Sequence, residues 1–292
     1  SGAELQRIDL QVLPTDRSWL RDSGPTFALR GGRLQAVCWS FNAWGRYPNW
    51  QADREVGRHI AIAAGAGIVE PKAHGRAVVM EGGAIDSNGR GTVLTTEQCL
   101  LGGGRRARNP GLSRDGIEQV LHDSLGATNV LWLGRGIAGD DTSGHVDTLA
   151  RFVGRSRIAA VVETNGRDEN YAALQDNLRR LRGMCDERGR PIEIVELPTP
   201  RPLWFDGYRL PASYANFYIA NGAVLVPTFN DANDAPALRV LGECFPDRDV
   251  HGVHCTDIAL GLGALHCLAQ QQPSAGTPRQ AQAEGIPALA GR

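Results

Sequence analysis

The sequence predicts a mixed α/β fold built from one unit repeated around a central axis. Two observations predict it. A helix-period segment followed by β-rich runs recurs along the chain at a spacing of roughly 50 residues. Short polar clusters, EGG (81–83), GHVD (144–147) and LHC (265–267), fall within these units. Such a repeat reads as blades, with the polar clusters facing one central site. The 36 glycines favour many turns and short elements over a few long helices.

Taken in order, residues 54–65 read as a helix, followed by strands at 67–70, 77–85 (AVVMEGGAI) and 91–97 (GTVLTTE). The next helix runs over 113–126, with Ser113 as its N-cap and Gly126 as the residue that ends it. Strands follow at 129–134, 145–153 (HVDTLARFV) and 157–163. A helix near 171–183 leads to a strand at 192–198 and a hairpin over 213–227 that turns at Asn221-Gly222. The last unit has a short helix near 236–244 and strands at 249–254 and 264–270 (ALHCLAQ). Residues 1–273 form one domain in this reading. The stretch 274–292, rich in Ala, Gly, Pro and Gln, reads as a disordered tail.

Composition narrows the function classes. With 292 residues, 42% hydrophobic and 22% charged, the chain is that of an ordinary globular protein with room for a sizeable core. A formal net charge of -1 gives no basic field for nucleic acid. No apolar run approaches the roughly 20 residues of a membrane span. The N-terminus has neither the basic nor the apolar region of a signal peptide, so a cytoplasmic protein is expected. The 6 cysteines are scattered without a C-x-x-C pair, which points to reduced thiols rather than a zinc ribbon or a disulfide scaffold.

Four clusters carry chemistry: WLRDSGPTF (19–27), EGG, GDDTSGHVD (139–147) and GLGALHCLAQQQP (261–273). Each alone has an ordinary structural explanation. Asp22 suits a turn, and Glu81 suits a strand end. Asp140, Asp141, His145 and Asp147 suit a solvated acidic turn, or a zinc or iron site. Cys267 suits a buried inert thiol. On a strand His145 and Asp147 would share a face, whereas His266 and Cys267 would face opposite ways.

Together these pieces resemble the agmatine deiminase family of the guanidine-modifying superfamily. The resemblance is carried by WLRDSGPTF, FNAWG (41–45), EGGAID (81–86), TTEQCLL (95–101), GDDTSGHVDTLARF (139–152), SYANFYIANG (213–222) and LHCLAQQQP (265–273), in that order. It implies a five-fold pseudosymmetric α/β propeller with the active site on its axis. It implies Cys267 as nucleophile, His145 as general acid/base, and Asp22 and Asp147 as the carboxylates that grip a guanidinium. Glu81 and Asp141 match further acidic pocket residues, and Trp19 an aromatic lining residue. The reaction implied is hydrolysis of agmatine to N-carbamoylputrescine and ammonia in polyamine metabolism, with no metal or organic cofactor required.

The residue types suit that chemistry. A guanidinium is planar and always charged near neutral pH, so carboxylates can hold its N–H fork in a fixed plane. Its carbon is a poor electrophile, which calls for a thiolate. A free-arginine enzyme would also need a cation for the α-carboxylate; Arg21 and Arg46 lie near the motifs without a clear assignment.

Two departures from the family stand out. Members carry an N-terminal strand and helix before the match to RIDLQVLP (7–14), whereas this sequence starts almost at the strand that the match represents. An open sheet edge, reduced stability and a homo-oligomer are expected consequences. Gly261-Leu262-Gly263-Ala264 also stands where members commonly have a glycine-rich stretch. Two other readings remain: a catalytically silent remnant that binds guanidinium or polyamine cations, and a metal-dependent hydrolase built on Asp141, His145 and Asp147. Arginine or peptidyl-arginine is the alternative substrate.

Overall fold

A computed structural model describes residue 6 and residues 8–274. Four of its sheets are three-stranded and share one construction. In each, two strands pair antiparallel, and a helix then carries the chain to a third strand lying parallel to the second. The first joins Thr26–Arg30, Arg33–Val37 and Gly67–Val69 through helix Asp53–Ala63. The second joins Asp86–Ser87, Thr92–Thr96 and Asn129–Leu133 through helix Arg114–Leu125. The third joins Ala150–Phe152, Arg157–Val162 and Glu193–Pro198 through helix Tyr171–Arg182. The fourth joins Tyr218–Ile219, Ala223–Thr228 and Asp249–His254 through helix Asp234–Cys244. A parallel neighbour needs a long crossover, which explains why every unit contains one amphipathic helix.

The expected mixed α/β class therefore holds. Strand alternation decides where the cores lie. In the second sheet Leu94, Leu131 and Leu133 face a large core shared with the third and fourth sheets. Their neighbours Val93 and Trp132 point the other way, into a second core with Val37, Met80, Ile117 and Leu121. Phe41, Ala43 and Trp44 form a third small cluster, with Trp19 and Tyr47 against it. No helix among the described residues is long and apolar enough to cross a membrane.

Helix ends obey local chemistry. Ser113 accepts the Gly116 N–H at 3.2 Å, and Gly126 takes φ 71° to close the helix. The hairpin turns as expected at residues 221–222, with Ile219 paired to Val224.

Four strand expectations fail in whole or in part. Over 77–85 only Ala77, at the end of the short hairpin strand Arg76–Ala77, and Val79, in a single bridge to Ser40, are paired before the chain turns into the 3-10 helix Gly82–Ala84. The Asn109 side chain takes the place of a partner strand, bonding both the N–H and the carbonyl of Val79. At 145–153 only Ala150–Phe152 is strand, because Val146–Thr148 forms a 3-10 turn. At 264–270 the chain forms the one-turn helix Leu265–Leu268, whose N-terminal N–H groups bond to Asn216. Residues 8–15 form no strand, and Ile8, Leu10 and Val12 are exposed. Apart from Ser274, the tail expected at 274–292 lies outside the described residues.

The cap at Ser113 gives a simple check. Ser113→Ala should lower unfolding free energy by about 1 kcal/mol in urea titration, leaving the distant polar cluster untouched.

Candidate active site

The residues singled out from the sequence come from irregular segments rather than from strands. Asp22 lies on the single turn Leu20–Ser23, and Glu81 stands just before Gly82–Ala84. His145 precedes the turn Val146–Thr148 that contains Asp147, and Cys267 lies on Leu265–Leu268. All five side chains are buried, and direct bonds link them in two connected groups.

The first group surrounds His145. Its Nδ1 lies 3.8 Å from Asp22 Oδ1, and its Nε2 lies 3.4 Å from Glu81 Oε2. Burial alone would push this imidazole toward neutrality. The Asp22 carboxylate, the Cys99 side chain and Glu81 overcome that and raise its pKa well above the usual histidine value. These contacts favour the imidazolium form of His145. Asp22 is itself fixed by the Trp44 indole N–H at 3.0 Å and the Gly83 backbone N–H at 3.1 Å. Burial drives the Asp22 carboxyl up to about 6, with Asp147 and Glu81 adding and His145 opposing.

Glu81 has a second partner that the sequence did not flag. Arg108 Nε donates to both Glu81 oxygens, at 2.9 and 3.3 Å, with neither side chain exposed. Arg108 also donates to the Thr142 carbonyl, tying Glu81 to the loop that delivers His145. Burial opposes ionisation of Glu81, but the Arg108 charge and the His145 contact outweigh it and lower its pKa.

The second group surrounds Asp147. Its Oδ2 lies 2.7 Å from His266 Nδ1 and 3.6 Å from Cys267 Sγ, while its Oδ1 is buried without a partner. Asn216 binds this group from below: its Nδ2 donates to Cys267 Sγ at 3.3 Å, and its Oδ1 accepts the His266 N–H at 3.1 Å. Burial, with the Asp147 and Asp22 charges, raises the Cys267 thiol well above its usual pKa. Burial raises Asp147 too, against the pull of His145, Arg151 and Arg21.

Glycines make this density possible. A Cβ on Gly83 would stand 2.5 Å from His145 Nδ1 and 2.8 Å from Asp22 Oδ1. On Gly261 or Gly263 it would meet the Trp19 ring at 2.8 or 2.7 Å, so Trp19 closes over the stretch before Cys267. Between those glycines Leu262 sits at φ 68°, a left-handed conformation that a leucine adopts at a cost. Asp141 lies apart from both groups, buried and accepting the Tyr47 hydroxyl at 2.6 Å. Burial raises its pKa.

The sequence had placed His145 and Asp147 on a strand, and His266 and Cys267 on opposite faces of another; the turns bring all four side chains inward instead. Arg108, Asn216 and His266 went unassigned, although the last two sit inside flagged motifs. Arg21 is buried and bonds the His266 carbonyl at 3.2 Å, while Arg46 is exposed and lies over the Tyr47 ring. Among the described residues, the donor atoms that come within 4.8 Å of one another in a metal-like group are those of Glu81, Cys99 and His145. Asp141 and Asp147 stand outside that group, and Glu81 within it is already committed to Arg108.

The raised Asp22 carboxyl has a consequence for stability. An unfolded aspartate titrates near pH ~3.9, and the folded group titrates at about 6. The folded state therefore holds the Asp22 proton more tightly, and the stability this provides is present below pH ~4 and is lost as pH rises to about 6. Asp22→Asn should flatten this loss. Urea unfolding at pH 4, 5 and 6 checks it, and parallel wild-type and variant profiles would contradict it.

Comparison with known proteins identifies relatives of the chain. A sequence model of the Porphyromonas-type peptidyl-arginine deiminase family matches residues 2–273. The agmatine deiminase of Stutzerimonas stutzeri is 38% identical over 92% of this chain and 77% of its own length. The solved structure of Enterococcus faecalis agmatine deiminase superposes with a TM-score of 0.81 at 36% identity, covering 88% of this chain and 75% of that one. A cysteine-to-serine variant of the C. jejuni agmatine deiminase with substrate bound superposes with a TM-score of 0.82 at 32% identity, covering 92% of this chain and 77% of that one. With a family model matched along nearly its whole length and relatives at this level of identity, the chain belongs to the Porphyromonas-type peptidyl-arginine deiminase family.

Proposed function

We propose that this protein hydrolyses agmatine to N-carbamoylputrescine and ammonia, with Cys267 as the nucleophile. The observation that carries the reading is the pair formed by Cys267 and Asp147: a buried thiol beside a buried carboxylate that keeps one oxygen free. The agmatine deiminases it resembles supply the substrate; the site supplies the chemistry.

The free Asp147 Oδ1 accepts an N–H of the guanidinium, and Asp22 holds the other side of its plane. Glu81 and Asp141 add negative charge, and Trp19 lines the approach. Arrival of the cation offsets the two carboxylate charges that burden Cys267, so the thiol ionises as substrate binds and gives its proton to solvent. The thiolate attacks the guanidinium carbon and forms a C–S bond. His145, as the imidazolium, protonates the departing nitrogen; the C–N bond breaks, ammonia leaves, and a thiouronium remains on Cys267. The now neutral His145 takes a proton from water, which adds to the same carbon. Cleavage of the C–S bond returns the thiolate and the ureido product, and the released proton ends on ammonia.

The propeller arrangement belongs to the same reading: four sheets of one construction support it, since a common axis would bring their irregular ends together at the site. Six unpaired cysteines accord with a reducing compartment such as the cytoplasm.

Incubation with agmatine, and separately with arginine, tests the reading through released ammonia and ureido product. Turnover of agmatine in preference to arginine, lost in Cys267→Ser, is expected; full activity in that variant would sink the mechanism. The charge argument is checked by alkylation. Chloroacetamidine, a cation, should inactivate the free enzyme at neutral pH much faster than neutral chloroacetamide, and equal rates would refute substrate-assisted ionisation.

A further inference from the structure

His266 has no part in the chemistry above, yet it is buried directly against Asp147. It is 1% exposed. Its backbone N–H bonds to both the side-chain and the main-chain oxygen of Asn216, each at 3.1 Å. Its carbonyl accepts from Arg21 Nε at 3.2 Å. The ring is therefore fixed through the backbone, and its Nδ1 meets Asp147 Oδ2 at 2.7 Å while its Nε2 has no partner.

The proton follows from that arrangement. Facing an ionised carboxylate oxygen at this distance, Nδ1 carries the hydrogen. Burial, with the nearby Arg151 and Arg21 charges, moves the ring's pKa well below the ordinary histidine value, so Nε2 stays unprotonated and the ring stays neutral. The two arginines are committed elsewhere. Arg151 bonds Asp86 at 2.8 Å and the Phe217 carbonyl at 3.0 Å, and Arg21 bonds the His266 carbonyl. Among the described residues, the side chains that donate to the Asp147 carboxylate are His266 and Cys267.

A neutral donor matters here. A carboxylate meant to receive a guanidinium must be oriented without being neutralised. An arginine or lysine at this place would hold the carboxylate and cancel the charge that attracts the substrate. A neutral imidazole N–H holds one oxygen and leaves the full charge for the other. We propose that His266 is a positioning residue whose Nδ1–H pins Asp147 Oδ2 and turns Oδ1 toward the substrate guanidinium. The role rests on the proposed placement of that guanidinium on Asp147.

The test uses two variants that split the ring. In His266→Asn the amide nitrogen stands where Nδ1 stands; in His266→Gln it stands nearer to Nε2. Both are made in the active chain, for kcat and KM with agmatine, and in the Cys267→Ser background, for agmatine binding by calorimetry. His266→Asn should keep KM and Kd within about threefold of the parent, while His266→Gln should weaken both about 10- to 100-fold, as expected for a lost hydrogen bond to a charged group. A purely structural role would lower the thermal midpoint of both variants without separating their affinities, and equal affinities would overturn the proposal. If the parent chain releases no ammonia, the deimination reading fails, and the order of calorimetric affinities still decides the positioning role. If the Cys267→Ser chain binds no agmatine, the placement on Asp147 and the role of His266 fall together.

Discussion

Burying carboxylates beside one another is the constraint on which the rest of this structure depends. Asp22, Glu81 and Asp147 have all lost their water, and an ionised carboxylate away from water is tolerated only with donors in contact. Each finds a different solution. Glu81 takes Arg108 and His145, Asp22 takes an indole and a backbone N–H, and Asp147 takes a neutral imidazole. The sites differ in charge as a result. Glu81 is stabilised as an anion, Asp22 is pushed toward protonation, and Asp147 retains an unfilled oxygen. An incoming cation meets negative charge concentrated where a partner is still missing.

That density dictates the backbone around it. Regular strands would supply side chains on alternate faces and at fixed spacing, whereas the site needs neighbouring residues to converge. The chain meets this need with one-turn helices, 3-10 turns and glycines at places where a Cβ would collide with a functional atom. Side-chain amides replace the missing ladder bonds: Asn109 serves Val79, and Asn216 serves His266 and Cys267. The regular elements lie behind this layer, where alternating strands feed two large cores. Leu262 at positive φ places local strain within five residues of Cys267, between two glycines that make room for Trp19.

Much of the scaffold was legible in the sequence because its signals are local. The four crossover helices follow from amphipathic period, and Ser113, Gly126 and Asn221-Gly222 mark ends and a turn through their own chemistry. The segments around Glu81, His145 and Cys267 were misread as strands for the same reason. Their apolar runs, β-branched in the first two, carry a strand signal, while Asn109 and Asn216, which reshape the first and the last, are distant in sequence. Arg108 was not singled out and His266 was given no role, because nothing in their neighbours shows that they will meet a buried carboxylate. Only the tertiary structure pairs Arg108 with Glu81 and His266 with Asp147.

The central claim is that Cys267 becomes covalently attached to the substrate carbon. Acid quenching of the enzyme during agmatine turnover, followed by intact-protein and peptide mass spectrometry, tests it most directly. The account predicts a transient adduct of substrate less ammonia on the peptide containing Cys267, absent from Cys267→Ser. Steady turnover with no adduct at any quench time, or an adduct on another residue, would contradict it.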